Sequence, residues 1–247
     1  MAGEDVYEDT RLAELYDHFN PWDRQDDFYL GWARRLGGPV LDLGCGTGRL
    51  AVRIAEEGLE VVGAEPASGM IGVARSRAGG ERVEWVQSSG ETLELGRRFK
   101  LIYMTGHAFQ AVPTDEEATA LLASVARHLE PEGRFIFETR NPADAAWERW
   151  AGPRTVVETT EYGRIQEDYE IDASEAPGRI AMTHHIRLLD RGEELVGHSR
   201  LRFPSRELVE AQFVEAGLEL VEWYRDWDGS PLLDGSAEMI AVTRVRG

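Results

Sequence analysis

The residues best placed to do chemistry lie in "PVLDLGCGTGRLAVRIAEEGLEVVGAEP", residues 39–66. Asp42 stands just before three alternating glycines, Gly44, Gly46 and Gly48, and Glu65 follows at the end of the next apolar run. Glycine lets backbone approach a ligand closely and adopt positive φ, and the helix that follows offers unpaired N–H groups and the positive end of its dipole. Such a loop cradles a nucleoside ligand. Farther along, "MTGHAFQ" places His107 after an apolar strand, where a histidine can exchange a proton near neutral pH. Arg140 and Asn141 leave a later strand at what should be the same edge, in "TRNPADAAWERW".

The choice of ligand turns on three positions. A dinucleotide loop runs G-x-G-x-x-G, and its third glycine packs helix against strand. Counted from Gly44, that position is Arg49. A carboxylate at Asp42 would repel a pyrophosphate and suits a ligand with an ammonium group and no phosphate. Glu65 can accept both hydroxyls of a ribose, which serves either ligand. S-adenosylmethionine meets all three conditions, since it has a ribose diol, a cationic amino-acid tail and no phosphate.

These residues need a sheet edge to stand on, and the periodicity supplies one. Leu12, Leu15, Tyr16 and Phe19 recur at helical spacing within 7–36; "NPW" interrupts that stretch, and a second helix follows over 24–36. Strand "VLDLG" and helix "GRLAVRIAEEG" come next, with Gly58 as the helix's C-terminal stop. Strands "EVVGAE", "VEWVQSS", "FKLIYMTG" and "RFIFETR" then alternate with helices "SGMIGVARSRA" and "DEEATALLASVARHL". This alternation predicts an α/β fold with a doubly wound, mostly parallel sheet. From about Asn141 four period-two segments (154–161, 165–172, 179–189 and 194–203) read as an inserted antiparallel meander. In it Ile180, Met182, His184, Ile186 and Leu188 share one face. Helix "SRELVEAQFVEAG" and two strands close the chain. The division is therefore a cofactor-binding domain of 1–140 and 204–247, with an N-terminal helical cap, and an insertion of 141–203 that is a lid or a dimer surface.

Composition narrows the function. The 247 residues carry 45 acidic and 27 basic side chains, a formal charge of −18, which opposes binding to a nucleic-acid backbone. No apolar run reaches the length of a membrane span, and the acidic N-terminus lacks a signal peptide's order. The single cysteine, Cys45, excludes an intrachain disulfide and a cysteine-based metal cluster. A cytoplasmic monomer or homodimer acting on a small molecule, with no nucleic acid, membrane or metal, is the expectation.

Residues 38–140 resemble the class I S-adenosylmethionine-dependent methyltransferases, in "LDLGCGTG" with its spaced second acid. The run from "TGHAFQAVP" to "HLEPEGRFIFETRNP" resembles their small-molecule branch. The resemblance implies a seven-stranded Rossmann-like sheet and methyl transfer to nitrogen or oxygen of a small acceptor. It implies that backbone at Gly44, Cys45 and Gly46 lies along the cofactor, that Glu65 holds the ribose, and that Pro66 and Met70 flank the adenine. Tyr16 and Trp22 would close over it, Asp42 would attend its amino-acid end, and Thr105 would border the transfer site. His107 would be the acid–base group, with Arg140 and Asn141 lining the acceptor's side. Where the family carries an acid after its third strand, this chain has Ser89 and Gly90, with Glu91 as the alternative adenine contact. Two other classes stay open: a cofactor-binding protein without transfer activity, and a nicotinamide-dependent oxidoreductase.

Overall fold

The computed structural model describes residues 6–247, apart from the side chains of 152–155 and 175. The strands β1 (Val40–Leu43), β2 (Val61–Ala64), β3 (Glu84–Val86), β4 (Phe99–Met104) and β5 (Leu129–Arg140) run parallel. β1 and β2 are buried along their whole length, as strands covered on both faces must be. β10 (Leu218–Tyr224) and β11 (Glu238–Val245) complete the sheet antiparallel, because no helix lies between them to carry the chain back for parallel pairing. The strand order is β10-β11-β5-β4-β1-β2-β3. Chain order reverses between β1 and β4, and the carboxyl ends of strands at such a reversal open a ligand crevice.

Helices cover both faces. Tyr29 and Leu30 of α2 (Arg24–Leu36) and Leu50 and Ile54 of α3 (Arg49–Glu56) pack with Val40, Leu101 and Ile136 on one side. Leu121 and Val125 of α5 (Asp115–His128) and Phe213 of α6 (Arg206–Ala216) pack with Leu41, Ile102 and Phe135 on the other. Caps fix where these helices begin. Asp23 and Asp26 form a capping box at α2, Thr114 and Glu117 another at α5, and Ser205 caps α6. Gly58 adopts left-handed φ just past α3.

A second sheet of four antiparallel strands stands apart: β6 (Gly152–Thr159), β7 (Gly163–Ala176), β8 (Arg179–Leu188) and β9 (Glu193–Arg202), paired in that order. Burial alternates strictly along β8, with Ile180, Met182, His184, Ile186 and Leu188 inward. The helix α1 (Thr10–Phe19), capped by Asp9, joins the two sheets. Leu12 and Leu15 pack on Ile165, Ile186 and Leu188 of the small sheet, while Ala13 packs with Ala67 and Met70 at the start of α4 (Ser68–Ser76). Several expected boundaries move: the third strand stops at Val86 rather than Ser89, the fifth begins at Leu129, the second strand of the meander runs on to Ala176, and the strand after α6 stops at Tyr224. No helix among the described residues is long and apolar enough to cross a membrane.

Candidate active site

Between the carboxyl ends of β1, β2 and β4 and the inward face of the small sheet lies a cavity of about 840 Å³, a size suited to small ligands. The glycine loop forms one wall. Gly44 and Cys45 N–H groups both donate to the Ala64 carbonyl at 2.8 and 3.1 Å, which bends the loop across the end of β2. Glu65 Oε2 accepts the Gly46 N–H at 2.9 Å, and Oε1 accepts the Ala67 N–H at 3.0 Å. Its carboxylate is thereby fixed at the cavity wall, beside Pro66, Met70, Ser89, Gly90 and Thr105. The Ser89 hydroxyl donates to Glu91 Oε1 at 2.6 Å, so both candidates for the missing acid border the cavity as one unit. Tyr16 enters from α1, its hydroxyl beside Gly106 at the end of β4. Burial, with the charges of Asp17, Glu65 and Glu167, pushes that hydroxyl up to about 12.

Four expected site residues do not line this cavity. Trp22 is 37% exposed beside the α2 cap, donating to Asp27 and lying under the Arg49 guanidinium. Asn141 is spent on structure: its amide donates to the Ser236 carbonyl and its oxygen accepts from Ala143 N–H. Cys45 is buried beneath the loop, where desolvation holds its thiol well above its ordinary value and leaves it a small packing residue. Asp42 lies under the loop, only 1% exposed. Its Oδ1 and the Tyr103 hydroxyl are buried without a hydrogen-bond partner among the described residues.

Burial raises the Asp42 carboxyl to about 8, against the pull of the nearby Tyr103 hydroxyl and with the push of Glu65. Its folded value then exceeds that of the unfolded chain, about 4. The stability it contributes is complete below about pH 4 and is lost as pH rises toward 8, because only the unfolded chain has released the proton. Asp42→Asn should flatten this decline. Urea midpoints of the ligand-free protein at pH 5 and pH 8 check it, the variant gaining on the wild type at the higher pH.

The turn after β4 carries His107 at φ 60, in the left-handed region that non-glycine residues seldom occupy. Glu138 holds it there. This buried carboxyl on β5 accepts the His107 N–H through Oε1 at 3.0 Å and the Tyr29 hydroxyl through Oε2. Desolvation pushes Glu138 upward, opposed by His107 and Tyr29. The ring of His107 lies 2.8 Å, Nε2 to Oε2, from Glu238 on β11. Glu138→Ala strands the His107 N–H and leaves the Tyr29 hydroxyl only the Met104 carbonyl at 3.3 Å, and should cost about 2 kcal/mol, read by chemical denaturation. Arg140 also lines the cavity, bonded to Gln110 Oε1 at 3.1 Å and lying over the Trp150 ring.

The far wall belongs to the small sheet, and the sequence reading missed most of it. Glu167, Tyr169, Met182, His184, Ser199 and Leu201 face the cavity. The alternation of Ile165, Glu167, Tyr169 and Ile171 was the available signal, but it defines a face without saying what the face meets. Glu8, bonded to the Ser68 N–H and hydroxyl at 2.8 and 2.7 Å, adds a further acid at the rim.

With this geometry in place, similarity to known proteins becomes informative. Residues 40–133, from β1 to the start of β5, match the family described as a methyltransferase domain. Over 247 residues, and 98% of each chain, the protein is 27% identical to the cypemycin N-terminal methyltransferase of Streptomyces sp. Residues 40–133 are therefore a methyltransferase domain, and the chain as a whole is similar to methyltransferases. The CcbJ methyltransferase from Streptomyces caelestis is similar in structure, with a TM-score of 0.78 at 25% identity over 98% of this chain and 99% of that one. The sugar N-methyltransferase KedS8 from Streptoalloteichus sp ATCC 53650 shares the fold, with a TM-score of 0.71 at 17% identity over 100% of this chain and 94% of that one.

The methyltransferase's own residues fit S-adenosylmethionine. A Cβ built at Gly46 would meet nothing within 4 Å, so the loop backbone stands open to a ligand there. The Thr105 hydroxyl, buried at the cavity wall, has no partner among the described residues. The arginines nearest the loop among the described residues are engaged elsewhere than in the cavity: Arg49 reaches the Asn20 carbonyl and Asp26, and Arg77 the Thr47 carbonyl and Asp17.

Proposed function

We propose that this methyltransferase transfers the methyl group of S-adenosylmethionine to the nitrogen of a small amine acceptor. The observation that carries the reading is the charge of the cavity wall. Five glutamates line it, Glu8, Glu65, Glu91, Glu117 and Glu167, against a single arginine, Arg140, and no lysine among the described residues. Such a wall attracts cationic ligands and disfavours polyanions. The cofactor is a cation, and an amine arrives as one. The 27%-identical relative, matched over 98% of this chain, is named an N-terminal methyltransferase, and the N-terminus of a peptide is an amine.

In this reading Glu65 holds the ribose hydroxyls, and Gly44, Cys45 and Gly46 present backbone along the cofactor. Pro66 and Met70 flank the adenine, the Ser89–Glu91 pair and the Gly90 N–H meet its edge, and Thr105 borders the transfer site. Tyr16 closes over the cofactor from α1. His107 and Arg140 contact the acceptor, and the small sheet covers it. The bound cofactor supplies an electrophilic methyl carbon on a sulfonium. The protein's part is to hold the two reactants in line and keep water out, which accounts for much of the acceleration. Transfer of labelled methyl to matched pairs of acceptors, amino sugars against their hydroxyl twins and peptide amides against N-acetylated twins, tests it. Label should enter the amines alone. Label in the hydroxyl compounds alone would overturn the nitrogen assignment.

A further inference from the structure

The small sheet does more than cover the cavity. On β8, His184 Nε2 lies 2.8 Å from the Ser199 hydroxyl of β9, and its Nδ1 lies 3.7 Å from Glu167 Oε1 on β7. Tyr169 donates its hydroxyl to the other Glu167 oxygen at 2.6 Å, and the His184 ring stands edge-on to the Tyr169 ring. All four side chains line the cavity, and His184 is 8% exposed and Ser199 9%. A carboxylate beside Nδ1 favours the tautomer protonated there, which leaves the Nε2 lone pair toward Ser199. A serine, a histidine and a glutamate in this order also resemble a hydrolytic nucleophile. That role needs N–H donors aimed at an oxyanion, and the β9 N–H groups lie in the plane of the sheet, while the cavity meets the side chains on its face.

We propose that Glu167, His184 and Ser199 form the acceptor's ammonium site and take up the proton that the amine must lose before it attacks. The proposal rests on the nitrogen assignment above. Glu167 pairs with the incoming R–NH3+. One N–H bond breaks, and its proton passes through the Ser199 hydroxyl to His184 Nε2, leaving R–NH2 and an imidazolium facing Glu167. The freed nitrogen pair forms the N–C bond while the C–S bond breaks with its electrons kept by sulfur. The product leaves as R–NH2–CH3 with one positive charge. His107 is less free for this task, because its Nε2 is engaged by Glu238. Glu167 and Tyr169 on β7 are the titratable groups in contact with His184 among the described residues, and Tyr16 on α1 and Arg140 at the end of β5 line the same cavity.

Three measurements on the full chain test this, with the Glu167→Gln, His184→Asn and Ser199→Ala variants and the amine series above. Calorimetric titration with S-adenosylhomocysteine reports folding and the cofactor site, and all variants should bind within about twofold of wild type. Titration of the amines onto the S-adenosylhomocysteine complex at pH 7 should show Glu167→Gln weakening them at least tenfold. The pH profile of kcat/KM should show His184→Asn slower by tenfold or more at pH 7, with the deficit closing above the amine's own pKa, where the acceptor enters already deprotonated. A deficit equal at every pH, or amines bound and methylated as well by the variants, overturns the proposal and leaves nitrogen transfer standing. Methylation of hydroxyl twins alone, or of no amine while S-adenosylhomocysteine binds, overturns it together with the nitrogen assignment. Failure of wild type to bind S-adenosylhomocysteine would instead strike the cofactor reading itself.

Discussion

Glu65→Ala should lower affinity for S-adenosylmethionine and S-adenosylhomocysteine by about 100-fold or more while the protein stays folded. The carboxylate is 7% exposed and anchored by the Gly46 and Ala67 N–H groups, so it is orientated before any ligand arrives. Hydrogen bonds from a diol to an ionised acceptor contribute about 1.5–3 kcal/mol each, and two of them exceed a hundredfold in binding. The substitution also frees the Gly46 N–H, loosening the loop at the point where the ligand meets it. Glu65→Gln separates these effects: its amide oxygen can still accept one N–H, and it should recover part of the loop's order with little of the affinity. Calorimetry with both ligands and with NADH is the measurement. Binding of NADH in preference to the adenosyl ligands would contradict the family's chemistry at this loop.

The contiguous part of the site was legible in the sequence because its logic is local. Glu65 bonds to Gly46 across a single strand–loop–helix–strand unit, so spacing alone brought them together. The meander's inward face was legible from period two, and His184 fell on it. What period two does not carry is the partner of that face. Glu167, His184 and Ser199 stand on three different strands, and their meeting depends on register, which pairs Met182 with Ser199 and Tyr169 with His184. Asn141 looked functional because it leaves a strand at the sheet edge, and Trp22 because the family resemblance implies an N-terminal aromatic closing over the cofactor. Asn141 instead ties β5 to the segment before β11 through Ser236, a contact with no local signature. Arg49 was read only as the absence of a glycine. In the fold it is a clamp, holding the link between α1 and α2 through the Asn20 carbonyl and Asp26.

Two of the loop's three glycines, Gly48 and Gly46, should divide cleanly by experiment. Gly48 adopts φ 74 and does not line the cavity; a Cβ there would lie 2.9 Å from the Ala74 Cβ and 3.0 Å from Trp85 Cζ3. It is therefore the close-packing glycine, meeting α4 and β3 where the dinucleotide pattern would use a later position. Gly48→Ala combines left-handed strain of about 1–3 kcal/mol with overpacking of about 1–3 kcal/mol. The expected loss of about 2–6 kcal/mol is a large part of the stability of an ordinary domain, about 5–15 kcal/mol. Gly46 has φ 53, but its Cβ would point into open cavity. Gly46→Ala should then cost about 1–2 kcal/mol of stability from backbone strain alone, yet weaken S-adenosylmethionine at least tenfold by standing where the ligand must approach. Urea denaturation and calorimetry on the two variants give the comparison. If Gly48→Ala proved as stable as wild type, the Trp85 packing would not be what requires glycine there. If Gly46→Ala bound the cofactor normally, the open backbone at that position would not be the cofactor's path.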